Sequence, residues 1–167
     1  HWPIIRRCLR NPRRTLILDE RRSYSGGELL IGAMHLADEI ERRCSTWTVG
    51  VMLPTAGLFP MAALAGWILG KTVVPLNYLL KPEELDFIIE DCETDTIVTV
   101  QPMLDYLGRT PRIPNLIRLE DVTFAGVPSA RWPAAKEDDD LAVLLYTSGR
   151  SGRPRGLMVS QRELSAK

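Results

Sequence analysis

Short runs of β-forming residues alternate along this chain with segments whose apolar side chains recur at helical spacing, and this alternation restricts the fold more than any other feature. Val49-Gly50-Val51-Met52-Leu53-Pro54 is a β-forming run closed by proline, followed by a helical segment over 58–69 that Gly70 is placed to end. A strand over 72–75, a helix over 82–91 opening on Pro82, and a strand over 95–100 come next. Upstream, 15–19 reads as a short strand, 21–23 as a turn and 25–43 as an amphipathic helix. The helix carries Leu29, Leu30, Ala33, Leu36, Ala37 and Ile40 on one stripe, with Ser25 as N-cap and Glu28 completing a capping box. Downstream, 101–107 reads as a short helix, 116–119 as a strand and the Pro/Gly/Ala-rich 125–135 as a linker. Residues 141–146 form a strand apolar enough for a central place in a sheet. This order predicts βαβ units, hence an α/β fold with a doubly wound, mostly parallel sheet and flanking helices.

Charge and cysteine usage narrow the function classes. Lys+Arg and Asp+Glu each total 21, which removes the electrostatic argument for a nucleic-acid partner or an anionic membrane. Arg6, Arg7, Arg10, Arg13, Arg14, Arg21 and Arg22 crowd the start, but without interleaved aromatics they read as a solvated face. Cys8, Cys44 and Cys92 are odd in number and widely spaced, which fits neither a disulfide framework nor a zinc site and predicts a reducing, cytoplasmic setting. His35 stands at no metal-ligand spacing and is expected on a helix surface. The apolar stretch over 56–70 is shorter than the ~20 residues of a bilayer span, so no transmembrane segment is expected. No secretory-signal pattern opens the chain.

Chemistry concentrates after the last strand. Thr147, Ser148, Gly149, Arg150, Ser151, Gly152, Arg153, Arg155 and Gly156 form a loop of glycines, hydroxyls and guanidinium groups. Glycines let a backbone approach a ligand closely, and successive N–H groups in such a turn make an anion-binding concavity. The hydroxyls donate hydrogen bonds, and the arginines offer planar forks matched to phosphate oxygens. The loop is neither a Walker A sequence nor a dinucleotide fingerprint. A polar surface hairpin is the plain alternative.

The order of residues weighs against that alternative. Tyr146 to Gly156 resembles Y-T-S-G-[ST]-[ST]-G-x-P-K-G, the signature of the acyl-adenylate-forming (AMP-binding) superfamily, and eight of its eleven positions agree. Arg150 stands where that family has Ser or Thr, and Arg155 where it has Lys. Ser160-Gln161-Arg162-Glu163-Leu164 is similar to a following [ST]-H-x-x-[LV], with Gln161 in the place of His. Val49 to Pro54, Gly66 to Gly70, Val73 to Asn77 and Lys81 to Leu85 resemble further blocks of the family at unchanged spacing. By residue type alone Asn77 is a turn former and is assigned no chemistry.

The resemblance covers nearly the whole chain but only the opening part of a family member. It implies that residues 1–167 are the N-terminal part of an AMP-binding domain, with the phosphate loop at 146–156 and with the remainder of the catalytic domain and the C-terminal domain absent. Implied for the parent protein are ATP, bound by its phosphates, Mg²⁺, a carboxylate substrate, and a thiol acceptor such as coenzyme A or an acyl carrier protein. The blocks look most like bacterial fatty-acyl-CoA or acyl-carrier-protein synthetases, with aryl, amino-acid and short-chain acids as alternatives. A non-catalytic phosphate-binding or interaction module is the rival from another class. The loop is implied to bind phosphate rather than to supply a catalytic group or a metal ligand, and the chain alone is expected to form no acyl-adenylate. Apolar faces and edge strands left uncovered predict self-association.

Overall fold

The structure is a computed structural model that describes residues 1–19, 22–55, 57–148 and 153–166. Its elements in chain order begin with α1 (Trp2–Arg10), β1 (Thr15–Leu18), β2 (Ser23–Ser25) and α2 (Gly26–Arg43). β3 (Thr48–Met52), α3 (Leu58–Ile68), β4 (Thr72–Pro75), α4 (Pro82–Asp91), β5 (Thr96–Thr99), α5 (Gln101–Leu107) and β6 (Asn115–Arg118) follow. After a 3-10 turn and a long irregular segment come β7 (Leu141–Ser148), β8 (Pro154–Ser160) and α6 (Gln161–Ser165).

The main sheet runs β6-β5-β3-β4-β7-β8 and is parallel except for the β7–β8 pair. β3 lies between β4 and β5, so the chain reverses direction across it, the hallmark of a doubly wound sheet. Alternate strand residues feed two cores. Val49, Val51, Val73 and Val98 pack with α2 and α3, whereas Met52, Val74 and Ile97 pack with Leu85, Ile88 and Ile89 of α4 and Leu104 of α5. The mostly parallel α/β expectation therefore holds.

Local signals explain most element ends. Ser25 accepts from the Glu28 amide at 3.2 Å while Glu28 accepts from the Ser25 amide at 2.7 Å, the reciprocal capping box. Gly70 takes φ +71° after α3, a backbone state costly for a residue with a Cβ. Asn77 closes the turn after β4 by accepting from the Leu79 amide at 2.9 Å.

Several expectations are corrected. The strand at 15–19 pairs antiparallel with β2 in a separate small sheet, and residues 23–25, placed between turn and helix cap, are that sheet's second strand. Arg21 of the expected turn lies outside the described residues. The 141–146 strand extends to Ser148 and sits one place in from the edge, because the segment after the loop returns as β8 and takes the edge itself. His35 is 7% exposed rather than on the helix surface, since Phe124 from a distant loop stacks edge-on against it. α1 and α6 have no counterpart among the expected elements. Trp132, in the irregular segment, is 88% exposed.

At the end of the sheet where the parallel strands begin, polar groups bond to one another. Asp95 accepts from the Ser45 amide and hydroxyl at 2.9 and 2.5 Å, from Thr96 at 2.8 Å and from Thr46 at 3.1 Å. Lys71 Nζ donates to the carbonyls of Cys44 and Thr46, and Thr48 donates to the carbonyl of Cys92 at 3.0 Å. Partial burial pushes the Asp95 pKa up, but the hydrogen bonds from Ser45 and Thr96 outweigh it and hold the carboxyl well below the usual carboxylate range.

Candidate functional site

The opposite end carries the glycine-rich segment. β7 and β8 pair from Leu141↔Ser160 to Ser148↔Pro154, and β7 lies parallel to β4 with Val73 opposite Val143. Pro75, the last residue of β4, is thus level with Leu145, and three more residues of β7 project about 10 Å past it. The projection leaves from the carboxyl ends of the parallel strands, where open α/β sheets take their ligands.

The root of this arm is fixed to the body. Trp67 Nε1 donates to the carbonyl of Ala142 at 2.9 Å, and Thr72 Oγ1 to that of Leu141 at 3.2 Å. Higher up, the Tyr146 hydroxyl donates to the Asp91 carboxylate at 2.5 Å. Burial, with the Asp91 carboxylate second, pushes the Tyr146 phenol pKa far above its ordinary value.

Past that point the side chains turn outward. Thr147 and Arg155 face each other across the strand pair, and both are exposed, as is Arg153. Among the described residues none of the three side chains has a hydrogen-bond or ion-pair partner. Gly156 pairs with Tyr146, and a Cβ there would meet Leu144 Cδ1 at 3.2 Å and Tyr146 Cε1 at 3.5 Å, so the ring lies close over the glycine. Ser148 continues the ladder opposite Pro154. Gly149, Arg150, Ser151 and Gly152, the middle of the expected phosphate loop, lie outside the described residues.

Position 161 behaves differently from the arm. Gln161 is buried, and its Oε1 accepts from the backbone nitrogen and Nδ1 of His1 at 2.9 and 3.2 Å, tying α6 to α1. Ser160 and Glu163 form a second capping box at the start of α6. The acidic run upstream is spent on the same junction. The carbonyls of Asp138 and Asp140 accept from the amides of Arg162 and Gln161, and Arg162 lies 3.2 Å from the Asp139 carboxylate.

Clefts formed by the described residues lie elsewhere. One of about 460 Å³ is lined by Asp86, Glu90, Glu93 and Arg112, and another of about 360 Å³ by Arg22, Glu28, His35 and Phe124. The arm projects from the sheet rim instead of lining either. Among the described residues no three His, Cys, Asp or Glu side chains converge as a metal site, and residues 146–156 contain no carboxylate. The arm's donor set thus fits phosphate oxygens and not a Mg²⁺ ion. No helix among the described residues is long and apolar enough to cross a membrane.

Sequence reasoning missed Asp91 and the depth to which Tyr146 is engaged. Asp91 reads as the last residue of a helix. Only its acidic charge at a helix C-terminus, where the dipole opposes it, marks it as unusual.

The known proteins that the chain is similar to are ligases and synthetases by name and differ in substrate. The chain is 32% identical over 101 residues to nonribosomal peptide synthetase sidC of Aspergillus fumigatus, covering 58% of this chain and 2% of that protein. It is 24% identical over 183 aligned residues to the human mitochondrial malonate–CoA ligase ACSF3, covering 98% and 31%. The solved structure of O-succinylbenzoate coenzyme A synthetase (MenE) from Bacillus subtilis in complex with AMP superposes with a TM-score of 0.80 at 22% identity, covering 96% of this chain and 42% of that one. The chain thus spans less than half the length of each of these relatives. The sheet, the projecting strand pair and the ordered blocks agree with a match to the AMP-binding enzyme description over residues 4–167, and the chain belongs to that family.

Proposed function

We propose that residues 146–156 are the phosphate-holding arm of an ATP-dependent acid–thiol ligase, and that residues 1–167 are the N-terminal part of its AMP-binding domain. One observation carries this reading: Thr147, Arg153 and Arg155 stand exposed at the ligand end of the sheet, and among the described residues their side chains lack partners. Donors left unpaired by the described residues can bond phosphate oxygens without first breaking a contact to those residues.

In the proposed reaction a carboxylate oxygen of the acid attacks the α-phosphorus of ATP, the bond to the bridging oxygen breaks, and pyrophosphate leaves with its electron pair. A thiol sulfur then attacks the acyl carbon and AMP departs. This chain's share lies in the first step. Arg155 and Arg153, with the Thr147 and Ser148 hydroxyls and the amides of Gly149, Arg150, Ser151, Gly152 and Gly156, hold the β and γ phosphates and stabilise charge building on pyrophosphate. Mg²⁺, when bound, would offset phosphate charge from ligands outside this arm.

The acid is a finer matter. The relatives' names include malonate and O-succinylbenzoate ligases and a peptide synthetase, which supports a carboxylate and leaves a fatty acid supported by the sequence blocks alone. Coenzyme A as thiol acceptor is supported by two of those names, an acyl carrier protein by none of them. Three unpaired, buried thiols accord with a cytoplasmic setting. The rival reading, a module that binds phosphate without catalysis, shares the arm and differs in lacking the rest of the catalytic machinery.

Calorimetric titration of the chain with inorganic pyrophosphate tests the proposal. Saturable binding that Arg155→Ala weakens is expected. Absence of binding by wild type at millimolar pyrophosphate contradicts it. Carboxylate-dependent ATP–pyrophosphate exchange is expected to be undetectable with this chain alone.

A further inference from the structure

The arm has few neighbours to hold its direction. Beyond Leu145 it is a two-stranded ribbon, and a lone strand pair in water is marginal. The described strands past Leu145 would pivot about the root at Ala142 unless something higher up held them. The Tyr146–Asp91 bond is the one side-chain hydrogen bond among the described residues that joins the projecting part to the body. We propose that Tyr146 and Asp91 are positioning residues: their bond sets the angle at which the arm presents its phosphate-binding groups. This rests on the phosphate reading above and deepens it.

Three features favour that role over incidental contact. Asp91 ends α4, where a carboxylate is opposed by the helix dipole, so helix stability does not account for it. The Tyr146 ring packs against the core beneath α4 while Gly156 leaves room for it from the partner strand. Rotation of the arm would break the hydroxyl bond and uncover the ring together. Burial and then the Asp91 carboxylate push the Tyr146 phenol pKa up, so the hydroxyl is protonated and donates to the carboxylate at neutral pH.

The experiment is calorimetric titration of inorganic pyrophosphate into wild type and four variants at fixed ionic strength, with thermal unfolding of each. Tyr146→Phe and Asp91→Ala should each weaken binding by about fivefold, and the double variant by no more than either alone. Asp91→Asn, whose amide oxygen still accepts, should keep most of the affinity. Alkaline titration of tyrosine absorbance should show one phenol ionising at lower pH in Asp91→Ala than in wild type. Unchanged pyrophosphate affinity in Tyr146→Phe, with or without a lower unfolding temperature, overturns the inference and leaves the bond merely structural. If wild type itself binds no pyrophosphate, the phosphate reading falls, and the inference with it.

Discussion

Where β3 and β5 begin, Ser45, Thr46 and Thr96 spend their donors on Asp95, and Lys71 spends its charge on two carbonyls. At the opposite end of the sheet, on or next to β7 and β8, the side chains of Thr147, Arg153 and Arg155 have no internal acceptor among the described residues. The two ends are similarly polar in sequence but differ in whether the fold completes its own hydrogen bonds. A closed network reports on stability and an open set of donors reports on a ligand, because an unpaired guanidinium gains nothing from folding.

Substitutions at the two ends should separate those roles. Asp95→Ala should cost about 2–3 kcal/mol in urea unfolding, since four donors lose their acceptor, and should leave pyrophosphate binding unchanged. The pH dependence comes from the depressed Asp95 pKa. Its stabilisation is complete above the unfolded carboxylate value of about 4 and is lost as pH falls towards the lower folded value. Wild type should therefore lose more stability than Asp95→Asn between about pH 4 and pH 2. An equal loss in both would show that the network is not closed on Asp95.

At the root of the arm, Trp67→Phe removes the donor to a buried carbonyl and should cost about 1–2 kcal/mol in the same assay. At the tip, Arg155→Ala and Arg153→Ala should change stability by less than about 0.5 kcal/mol while weakening pyrophosphate binding by about tenfold together. Arg155→Lys, restoring the family residue, should bind at least as well as wild type. A tip variant that destabilises as much as Trp67→Phe would break the contrast between the ends.

The smallest effect on folding is expected at the sheet edge. Leu157 is 54% and Met158 71% exposed on β8, an uncovered edge strand. Light scattering of wild type should show mass rising with concentration, and Met158→Lys should suppress the rise without changing stability by more than about 0.5 kcal/mol. A monomer at every concentration would remove self-association from the account.

How far the sequence could be read depends on the range of the forces involved. The capping box at Ser25, the proline opening α4 and the glycine ending α3 act within four residues, and each element they bound is present. β8 begins Pro-Arg-Gly and is mostly exposed, so its strand character comes from pairing with β7 rather than from its own pattern. α1 is strongly amphipathic, with Ile5 and Cys8 buried and arginines on the other face, so its pattern was legible and the crowd of arginines hid it. His35 is covered by a ring 89 positions away, and Asp95 is tied to residues about 50 positions upstream. In the candidate site, residue types and order were legible because phosphate chemistry is local to one loop. The tether to Asp91, 55 positions away, was not.

Amide chemical-shift mapping during a pyrophosphate titration tests the central claim most directly, because it locates the anion without presupposing where it binds. Shifts concentrated between residues 146 and 156, with the amides around Asp95 and Lys71 unmoved, are the predicted result. Shifts centred on the arginines at positions 6–14, or spread without focus over the surface, would contradict it.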